Sequence, residues 1–308
     1  MPFALKPDEK VGKNIQRLVR KQLDKALEHC ESQEAREKAV HEVRKCLKRI
    51  RGVLRMVRPT FGKRAFRRAD EQLRDTAKPL GEVRDATILV ETFDHLLERY
   101  ANIVGVHSFI QARSTLREHQ RQVHEQLFEE EHILDKTARA LKAERKKMKR
   151  RMRVPNKWSS LGRGLQTTYQ RTREAFAEAI ANPSVEKLHA WRKHTKYLRY
   201  QLEVLEPLAT EQIQLLVEAG EKIGELLGED HDLAVLRQML QNEPARFGDD
   251  EERILLSELI ERRRGDLERE AREQGEPFLS EKPRDWERPF KKYWNERCEP
   301  AQEERLVK

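Results

Sequence analysis

Two segments of this chain recur later in the same order, and this repetition constrains the fold more than any other feature. HEVRKCLKRIRGVLRMVRP, which begins at His41, and HAWRKHTKYLRYQLEVLEP, which begins at His189, are identical at seven of nineteen positions. LGEVRDATIL, from Leu80, and LGEDHDLAVL, from Leu227, are identical at five of ten positions. The offsets are 148 and 147 residues, so the sequence indicates an internal duplication rather than two chance matches.

The repeats divide the chain into two halves, which we assign to residues 1–135 and 158–308. A basic connector at residues 136–157 joins them and holds eleven lysines and arginines against one acid, Glu144. The connector has no counterpart in the repeat. A solvated helix end and an extension of an anion-binding face are therefore both open interpretations.

Each long repeated segment has the period of an amphipathic helix. The apolar stripes are Val43, Leu47, Ile50, Leu54 and Val57 in the first segment, and Trp191, Leu198, Leu202 and Leu205 in the second. Only 37% of the residues are hydrophobic and 38% are charged, where about 25% charged is usual. This composition favours helices with one apolar stripe over a buried sheet, and no hairpin signal is present. We predict an all-α protein.

Basic side chains accompany both stripes, displaced by one residue, and we call these two rows the basic ladders. The first ladder comprises His41, Arg44, Lys45, Lys48, Arg51 and Arg55, and the second comprises His189, Arg192, Lys193, Lys196 and Arg199. A one-residue displacement is about 100° around a helix, so the cations flank the core seam. Like charges one turn apart repel, and a solvated face would intersperse acids. The repeated rows therefore indicate an anionic partner, and a cation at each turn suits an extended chain of phosphates.

The second repeated motif contains residues that are typical of helix ends. Pro79 and the pairs Leu80–Gly81 and Leu227–Gly228 are predicted to interrupt helices. Asp85 and Asp232 then fall in first helical turns, where the helix dipole favours an acid. The alternative role for both aspartates is to orient an arginine or lysine of the ladders. Arg84, next to Asp85, is predicted to join the basic surface.

These motifs resemble those of the CHAD family, the conserved histidine α-helical domain. The resemblance rests on the ladder residues and on LGEVRD and LGEDHD, and it spans nearly the whole chain. It implies two helical bundles related by a pseudo-two-fold axis around a basic central cavity or pore that binds polyphosphate. By position it implies that the ladders bind the chain, and it extends that role to Arg17, Arg20, Arg163, Tyr169 and Arg173. One departure is that Glu203 and Glu206 stand where the first half has Arg55 and Arg58, which shortens the second ladder.

We therefore expect a protein that binds inorganic polyphosphate and is not an enzyme. The sequence shows no phosphate-cradling glycine loop, nucleophile elbow or carboxylate site. HEVRK is not an HExxH motif, so we expect no metal at His41 or His189 and no cofactor. The main alternative is a nucleic-acid-binding protein that contacts backbone phosphates, although aromatic residues for base stacking are only 6% of the chain.

The expected compartment follows from what the sequence lacks. Cys30, Cys46 and Cys298 have no metal-type spacing and fit a reducing environment. No run of 18 apolar residues is present, and the N-terminus resembles no signal peptide. We expect a cytoplasmic protein that does not bind membranes. Association with polyphosphate granules is compatible with the expected ligand, and the oligomeric state is left open.

Overall fold

The computed structural model describes residues 3–32, 35–105, 108–151 and 154–307. Within these ranges the regular structure is helical and contains no strand, which confirms the all-α prediction. The helices are α1 (Val11–Glu31), α2 (Arg36–Met56), α3 (Arg58–Phe61), α4 (Lys63–Arg99), α5 (Ile110–His124), α6 (Ile133–Arg151), α7 (Ser159–Ala181), α8 (Val185–Leu205), α9 (Thr210–Asn242), α10 (Asp250–Phe278) and α11 (Pro283–Val307).

Helices α2 and α8 carry the repeated ladder segments and lie in the centre of the molecule. Helix α2 packs against α1, α4 and α8, while α8 packs against α7 and α9. The predicted stripes are confirmed as core. The side chains of Val43, Leu47, Ile50, Leu54, Val57, Trp191, Leu198, Leu202 and Leu205 are all fully buried. Burial of both stripes brings the flanking ladders of the two halves next to each other.

The predicted helix ends in the second repeated motif are wrong. Pro79 and Gly81 lie inside the 37-residue α4, and Gly228 lies inside the 33-residue α9. A proline within a helix removes one backbone hydrogen bond. Here Leu80 and Leu227 are buried in the core, and α4 packs against α2, α5 and α9, so tertiary contacts sustain the helix across these residues. The glycines therefore have another function in the fold.

Helices α5 and α6 are not continuous with each other. After α5, a π-helical segment spans Glu125–Glu130, and His132 then adopts a left-handed backbone with φ of 48° before α6 begins. Helix α6 carries most of the basic connector and packs against α1. The Arg145 guanidinium lies 2.7 Å from the Asp24 carboxylate, so this part of the connector contacts acids of the first half. Connector residues 152 and 153 lie outside the described residues.

The cysteines and the helix lengths bear on the expected compartment. Cys30, Cys46 and Cys298 are buried and are not joined by disulfide bonds. In the part of the chain that the structure describes, no helix has the length and apolarity needed to cross a membrane.

Candidate anion-binding site

Helices α2 and α8 meet at two residues that are equivalent in the repeat, Gly52 and Tyr200. The contact is tight, because a Cβ atom at Gly52 would lie 3.0 Å from the Cβ of Tyr200. The buried Gln201 amide donates a hydrogen bond to the Gly52 carbonyl across this crossing, at 3.1 Å. The two ladder helices are thus fixed against each other at one and the same repeat position.

Two further contacts flank the crossing and join the same pair of repeat positions. Arg49 donates to Glu203 at 3.0 Å. The equivalent pair is Tyr197 and Arg55, in which the Arg55 guanidinium carbon lies 4.0 Å from the tyrosine ring centroid. One contact is an ion pair and the other a cation–π contact. The two contacts differ in chemistry, but they join the same pair of repeat positions.

The glycines of the second repeated motif receive an arginine from the neighbouring ladder helix. A Cβ at Gly81 would stand 2.8 Å from the Arg44 Nη1 atom, and a Cβ at Gly228 would stand 2.8 Å from the Arg192 Nη2 atom. Each arginine also donates to the carbonyl one helical turn before its glycine, at 3.3 Å and 3.5 Å respectively. Glycine is required here for close approach, and the same arginine–glycine contact is present in both halves.

Arg44, Lys48, Arg192 and Lys196 come together from α2 and α8, and we call them the central basic cluster. Within the described residues, no carboxylate oxygen lies within 4.0 Å of any of these four cations. Burial, and after it the positive charges of Arg44 and Arg192, lowers the pKa of Lys48 to about 7. The charge influence of Arg192 on Lys48 shows that cations from the two halves face one another.

Lys196, on α8, has an environment similar to that of Lys48 on α2. Burial, followed by the charges of Arg192 and Lys48, lowers its pKa to about 6. Burial, then His231 and Arg192, lowers the pKa of His189 to about 4, so this imidazole is neutral at pH 7. The neutral ring can donate or accept a hydrogen bond without adding charge. The cluster is therefore a concentration of cations whose charged forms are destabilised in the absence of an anion.

The two aspartates of the repeated motif lie near this cluster in the middle of α4 and α9. Their predicted place in first helical turns is wrong, because both helices begin more than one turn earlier. Asp85 is solvent-accessible, yet the surrounding protein removes part of its hydration and raises its pKa. Asp232 contacts His231, with 3.2 Å between the carboxylate oxygen and Nδ1. The acids contribute long-range charge, since neither forms an ion pair with Lys48 in the described chain.

Toward the C-terminal ends of α2 and α8, the ladder arginines are paired with acids. Arg51 and Arg55 both donate to the Asp70 carboxylate, each with a shortest distance of 2.8 Å. Arg199 lies 3.4 Å from Glu203 on its own helix. The ladder arginines are therefore neutralised at these ends, whereas the four cations of the central basic cluster have no carboxylate partner among the described residues.

The remaining ladder positions and Arg84 lie at the periphery. His41 and Lys193 are exposed. Burial, and next the Arg84 charge, lowers the pKa of His41 below its usual value. Lys45 lies 3.6 Å from Glu42 on its own helix, and Arg84 pairs with an exposed acid of α4 at 3.2 Å.

The five residues that the resemblance adds have other surroundings. Arg17 forms an ion pair with Glu9 at 2.7 Å, and the exposed Arg20 lies 3.6 Å from Asp24. Within the described chain, neither arginine contacts the central basic cluster.

On α7, Arg163 and Arg173 are exposed, whereas Tyr169 is fully buried. The Tyr169 ring stacks on Trp286 with centroids 4.1 Å apart, and its hydroxyl donates to the Glu281 carbonyl. These contacts make Tyr169 part of the packing between α7 and α11.

Some residues of the site were not identified from the sequence. Asp70 pairs with the arginines at one end of the first ladder. In the sequence it is a single acid after the basic stretch KRAFRRA. His231 occupies the repeat position equivalent to Arg84, and its ring centroid lies 4.8 Å from that of His189. Gly81 and Gly228 were noticed, but their contact with arginines of another helix has no local signature.

In this all-helical protein, the similar motifs of α2 and α8 converge on the central basic cluster. The CHAD domain model matches residues 17–241, which is well over half of the chain, and the protein belongs to the CHAD family. This membership is consistent with a polyphosphate-related role. Among curated proteins, none matches the sequence.

Proposed function

We propose that this protein binds inorganic polyphosphate at the central basic cluster and does not convert it chemically. The observation that carries the proposal is that Arg44, Lys48, Arg192 and Lys196 converge without a carboxylate partner in the described chain. Grouping cations in a partly desolvated space is unfavourable unless an anion is bound there. A chain of linked phosphates supplies several charges at the spacing of successive helical turns, and arginine can contact such groups in a bidentate manner.

The proposal includes the pseudo-two-fold arrangement of two duplicated bundles around a shared basic cavity. Three matched contacts support it: the crossing of Gly52 with Tyr200, the flanking pairs at the same repeat positions, and the arginine–glycine contact in each half. In such an arrangement each half would present similar donors to a ligand. A linear polymer with identical units is suited to such a surface.

The lysine pKa values support an anionic ligand over a solvated face. A lysine exposed to water has a pKa near 10.4. The pKa values of Lys48 and Lys196 are lowered to about 7 and about 6. A bound phosphate would favour the charged forms and raise both pKa values. Binding would therefore restore full charge to groups that the empty protein holds partly neutral.

The experiment is a titration of the full chain with long-chain polyphosphate at physiological salt, in competition with double-stranded DNA at equal phosphate concentration. We expect polyphosphate to displace DNA, while DNA fails to displace polyphosphate. Equal displacement would instead support the nucleic-acid alternative. Incubation with polyphosphate and magnesium should release no free phosphate, and sustained release would contradict the non-catalytic part of the proposal. Cytoplasmic location and granule association belong to the same proposal.

A further inference from the structure

A second group of cations lies next to the end of the first ladder and has no role in the site described above. The segment RPTFGKRAFRR, residues 58–68, contains five lysines and arginines and no acid. It forms α3, a turn at Gly62 with φ of 84°, and the first turns of α4. The turn returns α4 alongside α2, so these cations lie on the same side of the fold as Arg51 and Arg55.

Three of these cations line an open pocket, and we call it the outer pocket. Its charged lining residues are Arg58, Lys63 and Arg67 from this segment, Arg74 beyond it, and the acids Asp70 and Glu71. The Phe66 ring also lines the pocket. Its centroid lies 5.1 Å from the guanidinium carbon of Arg58 and 5.6 Å from that of Arg55. The pocket therefore shares one aromatic wall and one acid with the end of the first ladder.

Asp70 occupies the boundary between the ladder and the outer pocket. Arg55 donates to its two carboxylate oxygens at 2.8 Å and 2.9 Å, and Arg51 donates at 2.8 Å and 3.4 Å. Burial alone would raise the pKa of Asp70, but the hydrogen bonds from both arginines outweigh it and lower that pKa. Two guanidinium groups around one planar anion form the arrangement that also binds a phosphate group.

The row of cations continues beyond the central basic cluster at the C-terminal end of α2. Lys48 and Arg55 are seven residues apart, which is about 10 Å along a helix, and the cations of the outer pocket follow directly. At the equivalent end of α8 the chain has Glu203 and Glu206 in place of Arg55 and Arg58, so two cations of the first half are missing there. A long chain leaving the central basic cluster thus has a cationic path in one direction.

We propose that a long polyphosphate chain extends from the central basic cluster past Arg51 and Arg55 into the outer pocket, and displaces the Asp70 carboxylate from the position it holds between the two arginines. This inference rests on the proposed function. It implies that Asp70 lowers the affinity for long chains and has little effect on tripolyphosphate, which is short enough to stay within the cluster. Chain-length preference would then be set at the outer pocket.

The test compares Asp70→Asn with Glu98→Gln, which removes the same charge from an exposed position near the other end of α4. We expect Asp70→Asn to raise the affinity for long-chain polyphosphate by about tenfold over the control, equivalent to about 1.4 kcal/mol, with tripolyphosphate affinity equal in the two variants. Circular dichroism verifies that both variants are folded. Equal long-chain affinities, or the same gain for tripolyphosphate, would overturn the inference.

A second pair of variants does not depend on the ion pairs of Asp70. Lys63→Gln with Arg67→Gln removes two exposed cations of the outer pocket, and Lys146→Gln with Lys157→Gln removes two exposed cations of the connector. The pocket variant should lose long-chain affinity by about tenfold relative to the connector variant, with tripolyphosphate binding unchanged in both. Equal losses would refute the outer pocket alone, whereas a wild-type protein that binds neither ligand would refute the proposed function itself.

Discussion

Replacing Lys48 with methionine should make the empty protein more stable, because the lysine is held where its charge is unfavourable. Burial lowers the pKa of Lys48 in the folded protein from its ordinary value of 10.5 to about 7. Each pKa unit corresponds to about 1.4 kcal/mol, so the full difference approaches about 4 kcal/mol at pH 7. The side chain retains some solvent contact, and we expect a gain of about 2–3 kcal/mol in the free energy of unfolding. Methionine matches lysine in helix propensity.

The sign of the pH dependence follows from the lowered pKa. Between about pH 7 and 10.5 the unfolded chain binds more protons at this position than the folded chain, so wild-type stability rises with pH. The advantage of Lys48→Met should be greatest below about pH 6–7 and should vanish near pH 10.5.

The assay is urea unfolding at several pH values, followed by the circular dichroism of the helices. Lys146→Met is the control, because Lys146 is exposed on α6 and its replacement should change stability by less than about 0.5 kcal/mol. The reasoning is refuted if Lys48→Met lowers stability at pH 7, or if its gain is the same at every pH.

Three further predictions concern binding. Gly81→Ala combined with Gly228→Ala should preserve helicity and weaken polyphosphate binding measured by calorimetry, since the new methyl groups displace the two arginines; unchanged affinity would contradict this. Affinity should be constant below about pH 6 and fall as pH rises through about 7, because binding raises the pKa values of Lys48 and Lys196 and takes up protons; affinity that increases with pH would reverse the argument. Affinity should also fall with salt, with a log–log slope of at least about two released ions, and a slope near zero would exclude multi-phosphate contacts.

Much of the fold was predictable because the apolar stripes have a local period. The two repeated segments form α2 and α8, and the stripe residues are buried as expected. The errors occurred where tertiary contacts decide. Pro79 and Gly81 are typical of helix ends, but Gly81 serves a close contact with Arg44, 37 positions away in sequence. A single sequence does not reveal that contact.

The residues of the candidate site were predictable from the sequence. Which of them are paired with acids or packed in the core was not. The repeat identified the ladders, and the structure brings Arg44, Lys48, Arg192 and Lys196 together from both halves. That Arg51 and Arg55 are neutralised depends on Asp70, which is brought to them by the turn at Gly62. That Tyr169 stacks on Trp286 depends on α11, which is more than 100 residues away. Charge pairing of this kind is set by helix packing.

The central claim is tested most directly by polyphosphate titration of Lys48→Gln with Lys196→Gln against Lys146→Gln with Lys157→Gln. With polyphosphate bound, when Lys48 and Lys196 are charged, both variants lack two positive charges, so general attraction to the bound ligand weakens equally. Each lost charge-assisted hydrogen bond contributes about 1.5–3 kcal/mol, so the cluster variant should lose at least about a hundredfold in affinity. The connector variant should lose less than about threefold, with helicity unchanged in both. Equal losses, or a larger loss in the connector variant, would contradict the assignment of binding to the central basic cluster.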